Sequence, residues 1–376
     1  MPLYEGFIGP TAPEWSSNYG TERLVNWYLH RGSGHPKYPW CYYPTPGIRP
    51  WCVGLAGPVR GLFEQDGLMF GVAGNTFYQF DNARESFNRG TVALDEWPVT
   101  MDTNGTAGHQ IFVVSAGVGY IYDINTAAPL TAITDPEFLL PALNGAFIDG
   151  YFVNAQKNSI TFQLSALEDG LSWNGLDEGQ SNQTTDRIRR IFVNHQELWI
   201  FGGQRTTVWV DTGNPSFPLA PLPGATIQQG IVAPWSVVPL DNSFLWLGAN
   251  EEGQGVVYRP EGYRPKRVST SAIEQVWRQY ARIDNAVAWS YQMDGHYFYV
   301  LVFPDAGPIP TSWVYDTSTD QWHERAHWST TLIDWVPYRP GSHCFAFGKH
   351  LVGDRLTGTI YEMSNEFYSS TIAVSA

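Results

Sequence analysis

Charge is scarce in this chain of 376 residues: 15% of positions are Asp, Glu, Lys or Arg, against roughly a quarter in an ordinary soluble domain. With no long stretch rich in Ala, Glu, Lys and Leu, that shortage excludes a coiled coil or helical bundle. Cysteine is scarcer still. Cys41, Cys52 and Cys344 are an odd set without metal-site spacing, which excludes a disulfide framework. They are expected as free thiols in a reducing compartment, the alternative being a Cys41–Cys52 bridge. No run approaches the ~18 apolar residues of a membrane-spanning helix. The opening Met1-Pro2-Leu3-Tyr4-Glu5-Gly6 has neither the basic nor the apolar stretch of a signal peptide, so the chain reads as soluble and unprocessed, with no membrane partner.

Basic residues are the rarer sign, 22 against 36 acidic, for a net charge of −14. Such a chain is poorly suited to gripping DNA or an anionic membrane by counterion release, although it can surround DNA without adhering to it. What the sequence has in abundance is aromatic area: 16 Trp, 20 Tyr and 20 Phe. Side chains of that size bury enough surface to offset the entropy of ordering, which excludes whole-chain disorder.

The aromatics recur in a unit: an apolar strand, a turn, then a second aromatic strand often closed by Asp. Leu68–Val72 with Phe77–Asp81, and Ile111–Val114 with Tyr120–Asp123, are the first copies. Later ones begin at Tyr151, Leu198, Phe244, Tyr297 and Cys344. One aromatic per copy (Phe70, Phe112, Phe152, Trp199, Trp246, Phe298, Phe345) gives a step of about 40–50 residues, the period of β-propeller blades. The fold class is therefore all-β, a β-propeller of seven blades, or six if the last copy is not a true blade. The legible strands are expected in the middle of each blade, buried on both faces. Gly61-Leu62-Phe63 and Gly145-Ala146-Phe147-Ile148 would be inner strands.

Glu168-Asp169-Gly170-Leu171-Ser172-Trp173 approximates the D-x-G-x-[ST]-W turn of some propellers, a motif that fixes a hairpin and does not catalyse. One short helix is expected from about Ser271 to Arg282, with Ile273, Val276, Trp277 and Tyr280 on one face. Thr270 or Ser271 would cap it, with Glu274 completing a capping box, and its stripe would pack on a blade edge. Residues 1–45 do not fit the repeat but carry Trp15, Trp27, Tyr28, Trp40, Tyr42 and Tyr43. They form an N-terminal arm that lies over the disc, completes the last blade, or docks on a neighbouring subunit. The propeller would span 46–365 and a tail 366–376.

Catalytic patterns find little support. His323 and His327 follow a strand, where i and i+4 lie about 13 Å apart, too far to share a metal, so they read as interface or surface histidines. Asp241, Asp284, Asp294 and Asp316 sit at strand ends and turns, where Asp serves local hydrogen bonding. Arg187, Arg189 and Arg190 form the only basic cluster, explained by inward and outward alternation along a strand. No phosphate loop or nucleophile elbow is present. No catalytic, cofactor-binding or metal residue is assigned, and no cofactor is expected.

Several collinear segments carry a resemblance. They include Pro44-Thr45-Pro46-Gly47-Ile48, Gly57-Pro58-Val59-Arg60-Gly61-Leu62, Ile133-Thr134-Asp135-Pro136-Glu137-Phe138, Ala233-Pro234-Trp235-Ser236-Val237 and Gly295-His296-Tyr297-Phe298-Tyr299-Val300-Leu301. Trp313-Val314-Tyr315-Asp316 and Trp322-His323-Glu324-Arg325 complete the set. Across roughly residues 40 to 365 the chain resembles the packaged-DNA stabilisation, or tail-hub, proteins of short-tailed bacteriophages. The resemblance implies a non-enzymatic virion protein, assembled in the host cytoplasm as a homohexameric ring below the portal and its adaptor, or head-completion, protein. That ring would continue the DNA channel, retain the genome, and hold a tail needle, spike or fibre protein, while DNA passes without specific binding. Members of that family run on into a further β-rich segment, so contacts of such a segment are not expected here. The rival reading is a carbohydrate-active or carbohydrate-binding propeller, a glycosidase or lectin, with carboxylates and Arg converging at the ring's central mouth.

Overall fold

A computed structural model describes residues 11, 23–32, 40–126, 128–181, 186–250, 252–307, 310–329 and 332–370; Trp15 lies outside them. Seven four-stranded antiparallel sheets follow one another around an axis. Blades 1 to 6 span residues 59–91, 100–132, 142–180, 190–221, 238–267 and 287–324. Blade 7 joins Pro340–Ala346, Lys349–Asp354 and Ile360–Ser364 to the strand Gly47–Cys52 from near the other end of the chain.

The middle strands explain the arrangement. Successive side chains of a strand point to opposite faces, and here both faces meet a neighbouring blade. In Glu197–Phe201, Trp199 and Phe201 pack toward Phe244 and Trp246 of blade 5, while Leu198 and Ile200 pack toward Phe162 and Leu164 of blade 3. The buried residues accordingly fall into seven clusters, one at each blade-to-blade interface. Each fully buried aromatic there contributes about 1.5–3 kcal/mol.

Turn chemistry fixes the two faces of the disc. In six blades the first two strands are joined by a two-residue turn with both φ positive, at Asp66-Gly67, Asp149-Gly150, His195-Gln196, Asp241-Asn242, Asp294-Gly295 and Phe347-Gly348. Turns of that type match the natural twist of the strands they join. In blade 2 the four-residue helix Gly105–Gly108 takes that place. The Asp residues that close the third strands, Asp81, Asp123, Asp211 and Asp316, accept backbone N–H groups from the following turn. First-to-second and third-to-fourth turns share one face, called lower; second-to-third turns and blade connections share the upper.

The ring closes through Gly47–Cys52, which pairs antiparallel with Ile360–Ser364. Ile48 is fully buried, and a Cβ at Gly47 would fall 2.3 Å from the Phe367 carbonyl oxygen. Arg325, also buried, locks the seam: Nη2 donates to the Pro46 carbonyl at 2.7 Å, and the guanidinium lies 4.3 Å from the Tyr338 ring. Residues 40–46 therefore lead into the closing strand, which itself lies beyond position 45. The hairpin Trp27–Arg31 and Trp40–Pro44 is held on blade 6. Leu24 and Asn26 hydrogen-bond the backbone of Glu324, and Arg23 pairs with its carboxylate at 2.6 Å.

Three expectations change in detail. The long helix is Ser271–Trp277, because Gln279 and Tyr280 donate to carbonyls three residues back and tighten the last turn. Thr270 caps it, but Glu274 turns away from the capping box to accept from Arg267 and Ser269. Its apolar stripe packs on blades 5 and 6, through Ile273 and Trp277. Blade 7 is a true blade, yet its marker Phe345 lies on the inner strand and is exposed; the middle strand is Lys349–Asp354. The cysteines are free, Cys52 and Cys344 buried.

His323 and His327 are not surface residues. Each is 2% exposed, on separate strands Gln321–Glu324 and Ala326–Ser329, beneath Tyr28, Phe298 and Tyr338. Burial first, and the Arg325 charge second, push both down to about 3. The fold holds the neutral rings, whereas the unfolded chain takes up protons below 6.5. Stability is full above pH 6.5 and falls as pH drops toward 3, by about 1.4 kcal/mol per pH unit for each histidine. Burial pushes His343 down to about 3 as well, so denaturant melts between pH 8 and 4.5 should show three such shares, and His323→Phe should remove about a third of the slope. In the same assay Ile48→Ala should cost about 2–5 kcal/mol, whereas Arg49→Ala on the exposed face of the closing strand should cost under about 1. Equal costs would mean the seam is not what holds the ring.

Candidate functional site

Two regions stand apart from the packed blades: the axial bore with its upper mouth, and the hairpins that project from blades 6 and 7. The inner strands line the bore with Leu62, Met101, Ala146, Val238, Ala288 and Ser342, around a cavity of about 480 Å³. Two further cavities, of about 430 and 230 Å³, form the mouth and share Trp97, Pro98 and Arg282. Small polar side chains stitch the inner strands together: Asn144 pairs both ways with the Ile191 backbone, Thr100 and Asp102 accept from Gly145 and Phe147, and Ser290 donates to the Pro239 carbonyl. Burial against the bore wall pushes the Asp102 carboxyl up to about 6, opposed by the Thr103 and Phe147 N–H groups.

The charges at the mouth differ in how they are compensated. Arg60 is used up: Nε donates to the Trp97 carbonyl, Nη1 to those of Gly74 and Ala93, and Nη2 to Asp95. Arg282 pairs with Asp284 at 2.6 Å. Arg190, at the start of its inner strand, lies 4.6 Å from the Trp235 ring. Of the predicted basic cluster only Arg190 is on a strand and turned into the bore; Arg187 and Arg189 precede it and are exposed.

The four singled-out carboxylates do not converge. Asp284 is at the upper mouth; Asp241 and Asp294 sit in lower-face turns, and Asp316 at the lower end of its strand. Asp241 pairs with Arg259 at 3.0 Å, and Asp294 accepts from Asn365. Asp316 is buried and accepts from His296 Nδ1 at 2.6 Å, while His296 Nε2 lies 2.8 Å from His30 Nδ1. That chain joins the N-terminal hairpin to blade 6. Residues 30 and 296 are too far apart in sequence for any local pattern to pair them, although the register of the second and third strands brings 296 and 316 to one blade end. Among the described residues no group of three or more metal-ligating side chains is gathered. The Asp169 turn fixes its hairpin: its carboxylate accepts from Leu171, and the Trp173 indole donates to the Gly170 carbonyl at 2.8 Å.

The second region is apolar and exposed. Trp27 and Tyr43 stand on the N-terminal hairpin, and Trp328, Leu332 and Ile333 on the hairpin joining blades 6 and 7. Trp328 meets Trp335 edge to face, with ring centres 5.3 Å apart. Neither hairpin belongs to a blade, so these rings are not spent on the core.

Among solved structures the chain is similar to virginiamycin B lyase from Staphylococcus aureus, at 10% identity and a TM-score of 0.53, over 85% of this chain and 99% of that one. It is also similar to the extracellular domain of a one component system from B. thetaiotaomicron, at 12% identity and a TM-score of 0.53, over 88% of this chain and 44% of that one. A third is the WD40 β-propeller domain of Doa1, at 11% identity and a TM-score of 0.50, over 85% and 97%. At such identities these likenesses show the fold alone. No curated protein matches the sequence. A family model described as bacteriophage P22 Gp10, β-propeller, matches residues 40–368, a span that takes in the closing strand and all seven blades. The chain therefore belongs to the phage stabilisation family of P22 Gp10, a family of phage structural proteins built on a β-propeller.

Proposed function

We propose that the protein is a non-enzymatic tail hub: a homohexameric ring, assembled in the host cytoplasm onto the adaptor below the portal, that continues the DNA channel and anchors the distal tail proteins. The observation that carries the reading is the family match over residues 40–368. Physical features support it. Rings need apolar contact surfaces rich in aromatics, and the two projecting hairpins supply Trp27, Tyr43, Trp328 and Ile333. A net charge of −14 suits a conduit wall, because like charges keep phosphates from adhering as DNA passes.

The sugar-active alternative would have carboxylates and arginines converging at the central mouth. Arginines do gather there, but Asp95 and Asp284 are engaged by Arg60 and Arg282, which weakens that reading.

Mixed with its adaptor ring, the purified chain should form a six-copy ring detectable by native mass spectrometry and electron microscopy, with an acidic or neutral lumen. The pair Trp328→Ser and Ile333→Asp should abolish assembly while leaving the melting temperature of the single chain within about 2 °C, since both side chains are exposed. A chain that stays monomeric with adaptor present, or a strongly positive lumen, overturns the proposal.

A further inference from the structure

The N-terminal hairpin is fastened to blade 6 at two levels. At its root Leu24 and Asn26 hydrogen-bond the backbone of Glu324, Arg23 pairs with the Glu324 carboxylate, and Tyr28 is buried against Phe298 and the His296 ring. Further out, His30 and Cys41 face each other across the ladder, one pair short of its last, Arg31 and Trp40. There His30 Nδ1 meets His296 Nε2 at 2.8 Å, and His296 Nδ1 donates to Asp316 at 2.6 Å. Asp316 also accepts from the Ser318 N–H and the Thr319 hydroxyl, which hold it in place.

A bond between two imidazoles counts protons. Each ring nitrogen is either a donor or an acceptor, so the contact needs one proton between the two facing nitrogens and fails with two. With Asp316 taking the proton on His296 Nδ1, His296 Nε2 accepts from His30 Nδ1. A first added proton goes to His30 Nε2 and leaves that bond standing. A second, on His296 Nε2, sets N–H against N–H and one imidazolium against another. A neutral amide at position 30 would anchor the hairpin without that limit.

The surroundings leave the decision to this pair. On the hairpin it is flanked by Tyr28, Cys41 and Tyr43, whose ring stacks on His30 with centres 4.7 Å apart, while Arg31 lies over Trp40. On blade 6 the neighbours are Asp294, Asp316 and His323. Burial pushes Tyr28 up to about 12 and His323 down to about 3, and the Cys41 thiol holds Tyr43 up. None of these three changes charge between pH 8 and 5. The protein's other imidazole pair behaves differently. His343 Nε2 and His350 Nδ1 lie 3.0 Å apart, but on strands of blade 7 that share a backbone ladder, so losing that contact frees nothing. Burial also pushes His343 down to about 3 and lowers His350.

We infer that His30, His296 and Asp316 form a proton-operated latch, which holds the outer part of the N-terminal hairpin on blade 6 at neutral pH and lets go when both imidazoles carry a full complement of protons. The freed part carries Trp40 and Tyr43 and runs on through Pro44 into the closing strand Gly47–Cys52. The latch therefore sets how firmly the hairpin covers the seam between blades 6 and 7. It is a property of the single chain and stands apart from the tail-hub reading.

Cys41 reports on the latch directly. It is exposed and sits opposite His30, whereas Cys52 and Cys344 are buried, so a nitroxide attached to the full-length chain reads the hairpin. Between pH 8 and pH 5, the interval in which histidine ordinarily titrates, the mobile fraction of its electron paramagnetic resonance spectrum should rise at least about threefold. In His30→Asn the amide stands where Nδ1 stood, can donate or accept, and does not titrate; its mobile fraction should stay at the parent's pH 8 level throughout. His30→Ala, which makes no such bond, should be as mobile at pH 8 as the parent is at pH 5. Hydrogen exchange of residues 28–31 in the unlabelled chain, corrected for intrinsic rates, should follow the same pattern. The inference is overturned if the parent's mobile fraction is unchanged over that interval, if His30→Asn follows the parent, or if His30→Ala is held at pH 8 as firmly as the parent.

Discussion

A propeller has no single core, only interfaces between blades, and the last of these exists only if the two ends of the repeat meet. One six-residue strand makes that meeting. Ile48 of the closing strand enters the cluster between blades 6 and 7, while Trp51 and Cys52 enter the one between blades 7 and 1. Two of the seven interfaces therefore draw on the same segment. Without it, blade 7 would keep an unpaired edge, and the aromatic faces of blades 1 and 6 would each lose part of their cover. An open sheet edge backed by exposed apolar area is also a template for aggregation.

The seam also buries charge. Arg325 sits among Pro46, Tyr338 and Met363. Close by, the buried Asp354 accepts from Arg339, Thr357, Tyr361 and the Leu356 N–H. Removing ions from water is repaid only when their remaining lone pairs and protons are satisfied, and Asp354 has four partners. Burial keeps the adjacent His323 and His327 neutral, and the Arg325 charge beside them acts in the same direction.

Much of this architecture was legible in the sequence, and the residues show why. Middle strands such as Ile111–Val114 are apolar on both faces because both faces meet a neighbour, so they read as continuous runs. Terminal Asp residues such as Asp123 and Asp316 mark where a strand hands over to a turn. In blade 7 the aromatic marker fell one strand too early, because the middle strand opens Lys349-His350 whereas the inner strand carries Cys344-Phe345. Inner strands are harder to read in general. One of their faces looks into the bore, so Gly, Ser and Thr are tolerated there. Burial of His323 and His327 was hidden because Tyr28 and Tyr338, which cover them, come from outside blade 6.

The order in which the chain is made gives the closing strand a further meaning. Its residues leave the ribosome before any blade, and their partner, Ile360–Ser364, follows all six of the other blades. Until that partner is made, the blades already formed are an open arc whose two end faces lie bare. Contacts this distant in sequence are slow to form, because a long loop must be closed before they yield anything. The arc must stay soluble through that interval, and the low-stability period of this protein's life is therefore the time before its final blade arrives.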